Sequence, residues 1–343
     1  MTVDPAPASA APDSAPVGPA ASASGTDPAD PAPASAEDQP AGRRLRPGQT
    51  CRIRIWDRAT GEVRTVHETA ERLFEAPNWT ADGRLLVNAD GLLWLLPADG
   101  SAAPQQLAAL GLPPVNNDHV LAPDGSAVYA SASDFHVWEV PLTSSDVGSA
   151  VTAGTPRRIT PEDGGLHFLH GVSPDSTTLA YVHLQPDGEN WWAAATIRTI
   201  GVDGTGDRAV TTHPGPADGC EYSPDGAWIL FNTEQFSDAP GHAQLARVQP
   251  DGTGLEQLTS DERVNWFPHI APDGEVVAYL SFPPGTEGHP EDREVELRLV
   301  RVGEWDRPTT LVALQGGQGT INVPSWAPDG SAFAFVDYPR GDA

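Results

Sequence analysis

Residues 265–274 read Asn265-Trp266-Phe267-Pro268-His269-Ile270-Ala271-Pro272-Asp273-Gly274, and the apolar run Val276 to Leu280 follows. Pro272 presets the backbone of a tight reversal, Asp273 can cap it with its carboxylate, and Gly274 accepts a left-handed conformation. A short apolar segment, a turn and a second apolar run make a β-hairpin. The same grammar recurs, with turn aspartates at Asp82, Asp124, Asp175, Asp225, Asp273 and Asp329, separated by 42, 51, 50, 48 and 56 residues. Those intervals are close to the length of a four-stranded propeller blade.

Each copy continues alike. A third β-rich run follows, such as Ala243 to Val248 or Val295 to Val302, then a glycine-rich turn such as Asp251-Gly252-Thr253-Gly254, then a short fourth strand such as Glu256 to Thr259. After Asp329 there is room for little more than one strand, whereas Cys51 to Trp56 and Val63 to His67 form an unmatched pair before the first repeat. Those N-terminal strands are therefore expected to complete the last blade, which removes the exposed sheet edge. The expected fold is all-β: a six-bladed β-propeller of four-stranded blades over residues 46–340, its last blade closed by N-terminal strands, preceded by a disordered tail over 1–45.

Composition limits function. Residues 1–42 are nearly all Ala, Pro, Ser, Asp and Gly, too poor in apolar surface to offset chain entropy. The net charge is −27; with six of the 47 acids in the tail, the other 41 against 20 basic residues leave the body at about −21. Such a surface opposes phosphate backbones and anionic lipid, so neither nucleic acid nor membrane is an expected partner. Every basic residue is Arg, which removes lysine Schiff-base chemistry. Cys51 and Cys220 match no metal or redox spacing and read as two free thiols, with one disulfide as the alternative. No segment has the pattern of a signal peptide or a membrane span, so a cytoplasmic location is expected.

The repeated [S/A]-P-D-G before an apolar strand, the D-G-T-G turns, and Glu256-Gln257-Leu258-Thr259 resemble the TolB-type six-bladed β-propeller family over residues 51–338. The resemblance implies the fold. TolB itself is periplasmic, with an added N-terminal domain and cell-envelope partners; with neither feature legible here, its transport role is not expected.

In a propeller, the start of each inner strand crowds around the central channel. Positions four and five before each turn aspartate hold Asn78, His119, His170, Glu221, His269 and Ser325. Asn117, Asp118, His167, Asp218, Asn265, Trp266, Gln318 and Asn322 stand just upstream, and long loops add Glu189, Asn190, Trp191, Trp192, His242 and His289. Three readings compete. The first is a divalent metal (Mn, Zn or Ca) held by His119, His170, Glu221 and His269, ordinary ligand types for such ions. The second is a polar pocket, drawn from these same residues, that binds a carbohydrate or peptide while a Trp stacks on it. The third is that these groups satisfy one another in a solvated bore. The His-His-His-Glu set is similar in kind to the metal site of oligogalacturonate lyases, which implies an alternative metal-dependent polysaccharide lyase or hydrolase with His242 or His167 as base. A protein-interaction scaffold using the same face is the remaining alternative.

Overall fold

A computed structural model describes residues 42–144, 151–186, 191–212 and 215–341; most of the expected tail, and Glu189 and Asn190, lie outside the described residues. In chain order the strands are β1 (Cys51–Asp57), β2 (Val63–Thr69), β3 (Glu75–Trp79), β4 (Arg84–Ala89), β5 (Leu92–Pro97), β6 (Gln105–Leu107), β7 (Val115–Leu121), β8 (Ala127–Ala132), β9 (Val137–Ser144), β10 (Val151–Ala153), β11 (Arg157–Arg158) and β12 (Leu166–Val172). They continue as β13 (Thr178–Leu184), β14 (Thr196–Gly201), β15 (Arg208–Ala209), β16 (Ala217–Tyr222), β17 (Ile229–Thr233), β18 (Gln244–Val248), β19 (Glu256–Gln257), β20 (Val264–Ile270), β21 (Val276–Phe282), β22 (Arg293–Arg301), β23 (Thr309–Gly316) and β24 (Ala332–Asp337).

Consecutive strands pair antiparallel into blades β3–β6, β7–β10, β12–β15, β16–β19 and β20–β23, with β11 also on β9. The sixth sheet has the order β2-β1-β24, and Trp326 bridges Phe333 on its inner side. The N-terminal strands thus complete the last blade, as the repeat arithmetic expects.

Packing explains why the middle strands are apolar on both sides. Val277 and Tyr279 of β21 pack with Leu230 and Leu245 of the fourth blade. Their alternates Val276, Ala278 and Leu280 pack with Trp56, Phe333 and Phe335 of the sixth. Period-two alternation sends successive side chains to opposite neighbours, so each blade is glued to two others. The junction of sixth and first blades is of the same kind, with Ile53, Ile55, Ala334 and Val336 against Leu85 and Val87. Each fully buried large apolar side chain contributes about 1.5–3 kcal/mol. Both cysteines are buried and free.

The turn aspartates are architecture. Asp225 Oδ1 accepts from the Ala227 amide at 3.0 Å and the Ser223 hydroxyl at 2.6 Å, and Asp273, Asp329, Asp124 and Asp175 repeat the amide bond. Where the third repeat has Ser instead of Gly, Ser176 itself takes the left-handed backbone, at φ 60°.

Candidate functional site

The inner strands are not regular. Pairing slips between Glu75 and Asn78, Val115 and His119, Leu169 and Gly171, Asp218 and Glu221, and Trp266 and His269. Such bulges bend a strand and re-aim its side chains. Ala76, Gly219 and Phe267, each six residues before its turn aspartate, have positive φ. At Gly219 the requirement is also steric, since a Cβ would stand 2.6 Å from Asn232 Oδ1. That oxygen accepts from the Phe267 amide at 3.0 Å, so one bulge is fastened to the next blade.

Past the bulges, the residues six and seven before the turn form the channel mouth. A cavity of about 180 Å³ is lined there by Asn116, Asp118, His170, Asp218, Phe267, His289, Gln318 and Asn322, with Trp192 among its apolar walls. His170 Nε2 lies 2.9 Å from Asp218 Oδ1, and its Nδ1 lies 3.1 Å from the Asn322 carbonyl oxygen. His289 Nε2 is 3.6 Å from the other Asp218 oxygen, and its ring stands edge-on to Trp266 at 4.4 Å. Asn116 donates to Asp118 at 2.7 Å. An amide relay rims the mouth: Asn322 donates to Gln318 at 3.2 Å, Gln318 to Asn117 at 3.3 Å, and Asn117 to Glu75 at 3.5 Å.

Burial and charge oppose each other here. Burial works against a charge on His170, but Asp118, Asp218 and the two ring hydrogen bonds raise it to about 9. Burial would raise Asp218, yet His170 and His289 hold it well below the usual carboxylate range. Asp118 is pushed up, first by burial, with the Asp218 charge adding to it. Burial likewise pushes Glu75 up to about 7, against the pull of Arg43. At neutral pH the mouth therefore holds an imidazolium–carboxylate pair, with further acceptor oxygens beside it.

No family model matches the chain. An uncharacterized protein of Agrobacterium fabrum is 36% identical over 297 residues, covering 85% of this chain and 94% of that one. A solved structure from Agrobacterium tumefaciens, provisionally named TolB, matches with a TM-score of 0.75 at 34% identity, over 85% of this chain and 99% of the other. The chain belongs to the TolB-like β-propeller family. Its likeness to an oligogalacturonate lyase in complex with manganese, with a TM-score of 0.53 at 12% identity over 87% of this chain and 85% of that one, shows the fold alone.

In this TolB-like ring the expected metal ligands do not share a centre. Among the described residues, the one group of three or more His, Cys, Asp or Glu with ligand atoms within 4.8 Å of one another is Asp163, His167 and His183. His170 is paired with Asp218. His269 Nδ1 is 2.5 Å from Glu221 Oε2, and its Nε2 meets the Ile321 carbonyl oxygen. His119 has no hydrogen-bond partner on either nitrogen among the described residues, and burial lowers it to about 3, so it is a neutral core side chain. His170 sits inside the bulge of its strand, between Leu169 and Gly171, whereas His119, Glu221 and His269 lie on the turn side of theirs.

Positions four before the turn serve as staples between blades. Asn78 donates to the Pro324 carbonyl at 2.6 Å and accepts from the Leu121 amide at 2.8 Å; Ser325 donates to the Pro77 carbonyl at 2.7 Å. Asn265 is spent on Gln244, Thr259, Asp261 and Ser281, and His242 on Ser237 and the Asp261 carbonyl. Trp266 is buried and backs the mouth through His289 and Trp192. His167 belongs to the separate Asp163 group. Asn117, Asp118, His170, Gln318 and Asn322 are thus the expected residues that meet at the mouth. Asp218 and His289 join them, and so does Glu75, a carboxylate whose only sequence signal is its position seven before Asp82. Arg43, grouped with the tail by composition, reaches the same rim, 3.6 Å from Glu75 and donating to the Gln318 carbonyl at 2.6 Å.

Proposed function

We propose that this TolB-like propeller binds a small polar ligand, a carbohydrate or a peptide end, at the mouth built by Asp118, His170, Asp218 and His289. The observation that carries the reading is the buried His170–Asp218 pair on the wall of a cavity. A buried ion pair adds little net stability compared with an apolar packing of the same volume. Retaining one beside an open space, with strongly shifted ionisation, is the pattern of a binding site. The acceptor-rich wall suits a ligand that presents hydroxyls or an amino group, while Trp192, Phe267 and the His289 ring offer flat apolar surface to a sugar face or side chain. About 180 Å³ is below the roughly 300–1,000 Å³ of clefts that take drug-sized ligands, so the fit is to one sugar ring or one amino-acid residue.

A larger cavity of about 540 Å³ opens on the turn side, lined by Pro123, Pro174, Pro224, Pro272 and Pro328. Its prolines repeat from blade to blade, while its polar wall groups are already held as staples and turn bonds, Asn78 by Pro324 and Leu121, Arg84 by Asp82, Glu221 by His269 and Ser223 by Asp225, so the smaller mouth is favoured. A lyase reaction through His119, His170, Glu221 and His269 is disfavoured because His170 pairs with Asp218, His269 pairs with Glu221, and His119 is a neutral core side chain. Calorimetric titration with neutral sugars, uronates and short peptides tests the proposal. A saturable heat that disappears in His289→Ala supports it, whereas one that persists unchanged in that variant places binding elsewhere.

A further inference from the structure

A second constellation lies where the third blade meets the second, on side chains that do not line the mouth cavity. His167 on β12 and His183 on β13 are direct cross-strand partners, so the hairpin register sets their rings side by side, with centroids 5.2 Å apart. Asp163 precedes His167 by four residues, and its Oδ1 is fixed by the Gly165 amide at 2.8 Å. One carboxylate oxygen lies 3.4 Å from His167 Nε2 and the other 3.1 Å from His183 Nε2. Ligands about 2.0–2.2 Å from one tetrahedral ion stand about 3.3–3.6 Å from one another, and each imidazole is near that separation from one carboxylate oxygen, a different oxygen in each case.

Two further features point to a ligand. His167 is fully buried, and its Nε2 has no hydrogen-bond partner among the described residues. Its Nδ1 is engaged by the Phe135 carbonyl oxygen at 2.9 Å, the outer contact that fixes a metal-binding imidazole with its Nε2 lone pair free. Gly165 borders the group, and a Cβ there would stand 2.3 Å from His183 Nε2 and 3.0 Å from Asp163 Oδ1. Gly165 is absent from the positive-φ glycines, so the reason for glycine is the space it leaves. Around the trio, Gln185 Nε2 approaches His183 Nε2 at 3.5 Å, and His136 stacks on His167 at 5.3 Å.

We propose that Asp163, His167 and His183 bind one first-row divalent transition-metal ion, through two imidazole nitrogens and one carboxylate. The donor set suits Zn²⁺, Co²⁺ or Fe²⁺, and Asp163, about one-third exposed, leaves a solvent-facing position for water. The site does not depend on a ligand at the channel mouth.

The test uses the full chain, stripped with a chelator, then titrated with Co²⁺ followed by its visible absorption and with Zn²⁺ followed by calorimetry. One ion per chain is expected. Gly165→Ala, which fills the space, and Asp163→Asn, at a partly exposed position, should each weaken binding at least about tenfold while the metal-free far-ultraviolet spectrum stays unchanged. His242→Gln, outside both the group and the mouth, should bind as the wild type does. Less than stoichiometric binding by wild type, undiminished binding in both site variants, or loss in His242→Gln would overturn the proposal and leave an Asp–His hydrogen-bonded cluster only.

Discussion

The two ends of the inner strands obey different rules. At the turns the blades are near copies, with Asp124, Asp175, Asp225, Asp273 and Asp329 each holding a backbone amide in the same way; just above them Asn78, Glu221, His269 and Ser325, a different residue in each blade, tie one blade to another. Toward the mouth, the equivalent positions seven before the turn are Glu75, Asn117, Phe168, Asp218, Trp266 and Asn322, each a different residue type apart from the two asparagines. Repetition marks the turns that build the ring, and above them the residues differ from blade to blade at the staples as well as at the mouth. On the proposed function, polar residues at the turn end act on stability and those at the mouth act on binding.

The largest effect that could break this comparison is at the closure. Removing residues through Thr69 deletes β1 and β2, exposing the β24 edge and the core around Ile53 and Ile55. Circular dichroism of that truncation should show no cooperative thermal transition; a soluble, sharply melting product would contradict the closed ring. Next is His269→Ala, which leaves Glu221 buried without its partner. Denaturant unfolding should register a loss of about 3–5 kcal/mol, with ligand affinity nearly unchanged. A smaller effect belongs to His170. Its folded-state value of about 9 lies above the ordinary 6.5, so its stabilisation is fully present below about pH 6.5 and is lost as pH rises through about 9. Urea unfolding at the two ends of that window should differ by up to about 3 kcal/mol in wild type, and by much less in His170→Gln.

The same contrast explains what could be read from the sequence. Pro272-Asp273-Gly274 and its copies were legible because a tight turn demands particular residue types, and the unmatched pair at Cys51 and Val63 fixed the closure. The site was legible only in part. A bulge moves a side chain from one level of the channel to the other, and Ala76 and Phe267 carry no sign that their backbone is left-handed. Counting four and five residues back from the turn therefore selected staples such as His269 together with one mouth residue, His170. The Asp163 group was hidden for another reason: His167 meets His183 only through the register of the hairpin joining them.

The most direct test is a paired measurement of ligand-induced melting shifts, over one panel of sugars and peptides, in Asp118→Ala and Glu221→Gln. Linkage makes such a shift a measure of affinity for the folded state. The ligand that stabilises wild type should lose its effect in Asp118→Ala, through at least about a tenfold loss of affinity, and keep it in Glu221→Gln, despite that variant's lower melting point. A shift retained in Asp118→Ala and abolished in Glu221→Gln would place the binding site at the turn end instead of the mouth.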